Sequence, residues 1–154
     1  MKKFTLLFAM ILTVWTWQIN AQTTTVSDAD RAAIKQTALD YIEGWYEGNA
    51  ERMERAVHPD LAKRIVQTRP DNKNFSRLDQ MSALSLVQGV KRGGGKLTPK
   101  EKQLKDVTIL DVFENAASVK LVASDWIDYL HIAKFNGRWM IINVLWELKP
   151  KEKQ

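Results

Sequence analysis

The sequence predicts an α+β domain in which helices pack on one face of an antiparallel sheet. Apolar residues have helical spacing over much of the chain before residue 92, whereas short runs rich in β-branched and aromatic residues follow Lys102. Asn136-Gly137 separates two of these runs and predicts a tight hairpin, because both residues tolerate the positive φ angles of such a turn. Helices followed by hairpin-connected strands are typical of the α+β class.

The first 21 residues have the pattern of a secretory signal peptide. Lys2 and Lys3 precede an apolar run over 4–14, and Ala21 suits signal-peptidase cleavage. The run is too short for a comfortable membrane span, so we expect no stable membrane insertion after cleavage. We therefore expect a signal peptide, a single domain over 22–154 and a secreted or periplasmic protein. An uncleaved N-terminal anchor is the alternative.

Composition excludes several classes of site. The 154 residues include no cysteine and only two histidines, His58 and His131, so we expect neither a disulfide framework nor a thiol nucleophile, metal site or cofactor. The formal charge is +5, to which Lys2 and Lys3 of the signal segment contribute. The other basic residues are mostly interspersed with acidic ones. Nucleic-acid binding needs a concentrated basic face, so we expect no nucleic-acid partner.

Three helices are predicted, over 27–47, 50–57 and 77–91. Ser27 suits the N-cap of the first helix, Gly48 suits its end, and Asn49 suits the N-cap of the second helix. The predicted strands are 61–66 as a short edge strand, 107–113, 117–124, 126–135 and 138–148. The remaining segments 68–74 and 93–96 are predicted to be a loop and a flexible connection, respectively.

The hairpin predicts which residues share a sheet face. If Asn136-Gly137 forms a two-residue turn, Phe135 lies opposite Arg138 and His131 lies opposite Ile142. The face carrying Tyr129 and His131 is then almost wholly apolar. Large apolar groups also occupy the other face, so we expect helices to cover one face and a second subunit to cover the other, as a homodimer through the sheet.

The lower polarity of the Tyr129/His131 face favours it as the wall of a cavity. A β-bulge in the hairpin would exchange the two faces. The cavity would then contain Asp128 beside Asn143 and Trp126. This alternative stays open.

Several segments match a known family in order. They are Gly44–Glu54, His58–Arg64, Asp125–His131, Asn136–Trp139 and Asn143–Leu148. Together they resemble the putative lumazine-binding family of the nuclear transport factor 2-like, SnoaL-like superfamily. The resemblance implies a cone-shaped, cystatin-like fold with three N-terminal helices on a curved antiparallel sheet, a pocket, and commonly a dimer through the sheet. It implies no settled activity, because superfamily members include isomerases, dehydratases, hydrolases and binding proteins.

Placed in such a cone, aromatic side chains with a few polar groups would line a cavity suited to a flat, partly polar heteroaromatic ligand. The candidate ligand-binding residues are Tyr41, Trp45, His58, Met81, Tyr129, His131 and Trp146. We expect a binding protein without catalysis, because no histidine–carboxylate pair can be placed on one face. The alternative is a small acid–base enzyme that uses His131, or Asp128 on the opposite face, in the same cavity. No residue is assigned as catalytic.

Overall fold

The computed structural model describes residues 26–69 and 71–150, so the predicted signal peptide lies outside the described residues. The helices are α1 (Asp28–Glu47), α2 (Ala50–Ala56) and α3 (Ala83–Lys91), and a 3-10 turn spans Lys100–Lys102. The strands are β1 (Val57–Arg69), β2 (Asn72–Ser82), β3 (Asp106–Phe113), β4 (Ala116–Val122), β5 (Trp126–Phe135) and β6 (Arg138–Leu148). None of the helices within these ranges is both long and apolar enough to span a bilayer.

The six strands form one sheet in the order β2-β1-β6-β5-β4-β3. All neighbouring pairs are antiparallel except β1 and β6, which run parallel. Helix α3 follows β2, so the expectation of three N-terminal helices before a wholly antiparallel sheet is only partly right. The helices pack on one face of the sheet, which we call the inner face, and the opposite one is the outer face. The core lies between the helices and the inner face, where Ile42, Leu130 and Val144 are completely buried.

The predicted helix ends are confirmed at α1 and α2. The Ser27 hydroxyl accepts a hydrogen bond from the backbone N–H of Asp30 at 3.1 Å, and Gly48 ends α1 in the left-handed region at φ 65°. Asn49 caps α2 by accepting from the Arg52 N–H at 3.0 Å. These local signals fix where α1 stops and how α2 starts, which in turn positions the aromatic C-terminal turn of α1 over the sheet.

Three predictions for residues 61–82 are wrong, and one of them is the loop over 68–74, since β1 extends to Arg69 and β2 begins at Asn72. The strand predicted at the edge is β1, which lies between β2 and β6, and the first part of the third predicted helix is strand β2. Residues 77–82 pair with β1, and the helix begins only at Ala83, where the Ser82 hydroxyl accepts from the Ser85 N–H at 3.2 Å. Leu78 and Met81 are spaced for a helix, but so short a run also fits a strand when a partner is available.

The turn predicted at Asn136-Gly137 forms as expected. Asn136 and Gly137 have φ angles of 49° and 81°, and Phe135 pairs with Arg138. Further along, the predicted register is wrong, because Ile132 pairs with Ile141 whereas His131 pairs with Asn143. Ile142 is the extra residue of a β-bulge between those pairs, so β6 changes its inward-facing residues from that point.

Candidate functional site

A cavity of about 320 Å³ lies between α1, α3 and the inner face of the sheet. Its lining residues are the aromatic Tyr41, Trp45, Trp126 and Trp146, the apolar Met53, Met81, Leu86 and Leu148, and Lys63, Gly94, Thr98 and Asp125. Ligand cavities commonly enclose about 300–1,000 Å³ and combine apolar walls with a few polar groups. This cavity is therefore suited to a compact molecule of one or two rings.

The aromatic walls are held in place by packing. Trp45 meets Trp126 edge-to-face, with ring centroids 6.1 Å apart and an interplanar angle of 87°. Behind Trp45, the segment predicted as a flexible connection is packed against it, since a Cβ on Gly95 would lie 2.4 Å from the Trp45 carbonyl oxygen. The glycines allow this close approach, which fixes Trp45 between the loop and the cavity.

At the inner end of the cavity lies a buried ion pair. The Lys63 ammonium (Nζ) is 2.5 Å from Oδ1 of Asp128 and donates to the Tyr41 hydroxyl at 2.8 Å. The other oxygen of Asp128, Oδ2, accepts from the indole N–H of Trp126 at 2.6 Å. Asp128 is completely buried and Lys63 is 6% exposed. A buried charge is tolerated only when it is paired and hydrogen-bonded, and here both conditions are met.

At the inner end of the cavity, the side chains of Lys63 and Tyr41 are protonated and can donate hydrogen bonds. Burial lowers the pKa of Lys63, and the attraction of Asp128 opposes that shift. Burial and the nearby Asp128 carboxylate raise the pKa of Tyr41 well above its ordinary value, so its hydroxyl stays protonated. Lys63 Nζ also lies 4.6 Å from the ring centroid of Trp146, a cation–π distance.

The β-bulge builds this arrangement. It pairs Asp128 with Trp146 on the inner face, whereas the predicted register groups Trp146 with Tyr129 and His131 on one face. Lys63 reaches the same place from β1, where it pairs with Met81 and Val144. Lys63 was not among the site residues predicted from the sequence. The signal was available, because this lysine stands between Leu61 and Ile65 in an alternating stripe whose other members are buried.

The structure brings together four of the seven candidate residues: Tyr41, Trp45, Met81 and Trp146 all line the cavity. Tyr129 and His131 do not, since both are exposed on the outer face, and the preference for their face as the cavity wall is wrong. The physical reason is the bulge at Ile142. It moves Val144 and Trp146 to the inner face, away from the face of Tyr129 and His131 on which the predicted register placed them.

The alternative based on Asp128 is only partly realised. Asp128 and Trp126 are on the inner face, but Asp128 lies behind Lys63 and is not among the lining residues. Asn143 is on the outer face, where its amide accepts from Arg64 at 3.0 Å and contacts His131 at 3.3 Å.

His58 borders a different cavity, an open groove of about 860 Å³ between α3 and the β5–β6 turn. Its ring stacks on Phe135 with centroids 4.6 Å apart, and its Nδ1 accepts from the Asp60 N–H at 3.1 Å. The groove is larger, but Phe135 and Leu84 on its walls are themselves exposed to solvent. We regard the aromatic cavity, which contains the buried ion pair at its inner end, as the better candidate site. Within residues 26–69 and 71–150, no group of three histidine or carboxylate side chains is placed to hold a metal ion.

Comparison with known proteins gives the family and the fold. A family model described as "Putative lumazine-binding" matches residues 29–147. Among solved structures, an NTF2-like protein of unknown function from Shewanella baltica OS155 is similar, with 18% identity, a TM-score of 0.62 and coverage of 82% of this chain and 99% of that chain. One from Methylobacillus flagellatus KT has 18% identity, a TM-score of 0.62 and coverage of 82% and 97%.

A structure described as a putative scytalone dehydratase, from Novosphingobium aromaticivorans DSM 12444, has 14% identity, a TM-score of 0.50 and coverage of 79% and 85%. No curated protein matches the chain. At these identities the solved structures establish the NTF2-like, cystatin-like fold, which hosts many different functions.

Proposed function

The chain belongs to the putative lumazine-binding family, and from this premise we propose that it binds a compact, flat heteroaromatic molecule in the cavity around Lys63. The observation that carries the proposal is the grouping of Tyr41, Trp45, Trp126 and Trp146 around one buried ammonium group. Flat rings stack on aromatic side chains, and a single polar group at one end gives the ring an orientation.

Titration with lumazine, followed by tryptophan fluorescence and by thermal unfolding, tests this proposal. Ligand that binds the folded state raises the Tm with concentration. Trp146→Leu removes a cavity wall and is expected to weaken binding at least about tenfold, the equivalent of ~1.4 kcal/mol and within the value of an aromatic contact. Tyr129→Ser, on the outer face, is the control and should bind normally. Equal loss in both variants would contradict the proposal.

A second candidate function is acid–base catalysis in the same cavity. It is favoured by the direct contact of Lys63 with Tyr41, because two proton-carrying groups at the inner end of the cavity can exchange protons with a ligand. The test is hydrogen–deuterium exchange at carbon atoms next to the carbonyl of cyclic ketones, followed by NMR. Exchange that Tyr41→Phe slows would support catalysis, whereas no exchange above the rate without protein would leave binding as the function.

We also propose that the outer face contacts a second copy of the chain. Tyr129 is 45% exposed and Leu145 is 50% exposed beside it, and solvent-exposed large apolar groups on one surface mark contact sites. Sedimentation measurements are expected to find a dimer that Leu145→Glu converts to monomer without weakening ligand binding. A monomer of the unmodified chain at high concentration would overturn this proposal.

Export remains a separate proposal, supported only by the N-terminal sequence pattern. The mass of the protein purified from its native host is expected to correspond to a chain beginning at Gln22. A mass that retains Met1 would contradict it.

A further inference from the structure

The polar atoms of the aromatic cavity are not evenly divided between donors and acceptors. An ammonium group has three hydrogens and accepts none. One hydrogen of Lys63 is directed to Asp128 and one to the Tyr41 hydroxyl, and the ammonium lies 4.6 Å from the ring centroid of Trp146, which lines the cavity together with Lys63. A third hydrogen therefore remains for a ligand that enters the cavity.

The Asp128 carboxylate, which would balance this donor, is not accessible to a ligand. Each oxygen of Asp128 already accepts a hydrogen bond, one from Lys63 and one from Trp126, and the residue is 0% exposed. The carboxylate that does line the cavity belongs to Asp125, which is exposed to solvent. An exposed carboxylate remains hydrated, so it contributes less to selection than a group buried at the inner end.

We infer that the cavity selects flat ring systems that present a carbonyl or ionised oxygen to Lys63 and rejects rings of the same shape that present amino groups there. This inference rests on the proposed function. A carbonyl oxygen accepts the free hydrogen of the ammonium, whereas an amino group brings a second donor against the first and loses its own hydrogen bonds to water. Rings of these two kinds have nearly the same shape and stacking surface, so the difference arises mainly at the polar edge.

Calorimetric titration of the full chain with two matched pteridines tests the inference. Lumazine carries carbonyl oxygens at the two positions where 2,4-diaminopteridine carries amino groups. Hydrogen bonds to charged groups are worth roughly 1.5–3 kcal/mol, so lumazine is expected to bind about tenfold to a hundredfold more tightly. This comparison uses the unmodified protein and does not depend on whether a variant folds.

Two variants locate the selectivity. The double substitution Lys63→Met with Asp128→Asn removes both charges together, which avoids an unpaired buried charge, and is expected to reduce the ratio of the two affinities to about one. Asp125→Asn is the matched control at the exposed carboxylate and should leave the ratio unchanged. Thermal unfolding confirms that each variant is folded before titration.

The outcomes separate the two proposals. Preference for lumazine that disappears with the double substitution supports the inference. Equal affinities, or preference for the diamino compound, would overturn the inference and leave the proposed binding function standing. A ratio that Asp125→Asn changes and the double substitution does not would also overturn it, because the selecting group would then be the exposed carboxylate. Failure of both pteridines to bind would count against both proposals.

Discussion

Lys63 and Arg64 are consecutive residues of β1 that point to opposite faces of the sheet. The Lys63 ammonium is buried on the inner face against a carboxylate and aromatic rings. The Arg64 guanidinium, on the outer face, donates to the neutral amides of Gln80 at 2.9 Å and Asn143 at 3.0 Å. One cation is enclosed with its counter-charge, and the other is partly exposed to solvent with uncharged partners.

This contrast indicates that the enclosure of the inner face, rather than its overall polarity, makes it the candidate ligand site. The outer face of β5 carries a histidine and a tyrosine, groups commonly found in active sites, but in the single chain no helix covers them and both are exposed. The inner face carries an ion pair amid apolar residues, where the low dielectric strengthens each polar contact. Substitutions on the inner face are therefore expected to have larger effects than substitutions on the outer face.

The largest effect is expected from breaking the buried pair. Asp128→Ala leaves the Lys63 ammonium and the Trp126 indole N–H without their shared acceptor, and loss of one partner of a buried pair costs about 3–5 kcal/mol. Urea denaturation measures the free energy of unfolding. Arg64→Met on the outer face is the control, with an expected loss of at most about 1 kcal/mol. Equal losses would show that the two faces do not differ as described.

A smaller effect is expected where the loop packs on Trp45. Gly95→Ala places a methyl group against the backbone of Trp45, and overpacking of this kind costs about 1–3 kcal/mol. Gly89→Ala is the matched control, since its Cβ would lie 3.6 Å from the Trp45 ring, an ordinary contact, within helix α3. It should be neutral or stabilising by up to about 1 kcal/mol. Thermal unfolding that finds the two variants alike would contradict the packing described for Trp45.

Acid is expected to weaken the anchor of α1 on the sheet. Hydrogen bonds from Lys134 at 2.7 Å and from the Trp139 indole at 2.8 Å lower the pKa of Asp30 to about 2. Because the folded pKa is below the unfolded one, this contribution to stability is present above about pH 4 and is lost as the pH falls toward 2. Unfolding measured across that range should depend on pH less steeply in Asp30→Asn. An unchanged slope would contradict the anchoring role.

The smallest effect is expected on the outer face. His131→Ala removes a contact to Asn143 at an exposed site, so the free energy of unfolding should change by no more than about 0.5 kcal/mol. Lumazine binding, followed by tryptophan fluorescence, should be unchanged. A clear loss of binding would return the site to the face that the sequence alone favoured.

The structural features that could be predicted from the sequence are those that depend on neighbouring residues only. The caps at Ser27 and Asn49 and the turn at Asn136-Gly137 involve only neighbouring residues, and all three are found as predicted. Strand β2 was not predicted, because residues 77–82 have a spacing that fits both a helix and a strand and pairing with β1 decides between them.

The site depends on pairing between distant segments, which a single sequence does not display. Tyr41, Trp45 and Trp146 were identified from their aromatic chemistry, and they do line the cavity. The sheet face was mistaken because one bulged residue, Ile142, exchanges inward and outward positions along β6. The position of Lys63 between Leu61 and Ile65 indicates that it is buried, but its partner Asp128 lies 65 residues further along the chain and could not be assigned from the sequence.

The most direct test of the inner-face site is a crystal structure of the chain with lumazine bound. We predict that the ring lies among Trp45, Trp126 and Trp146, with a carbonyl oxygen within hydrogen-bonding distance of Lys63 Nζ. Density for the ligand beside Tyr129 and His131, or in the groove beside His58, would contradict this assignment of the site.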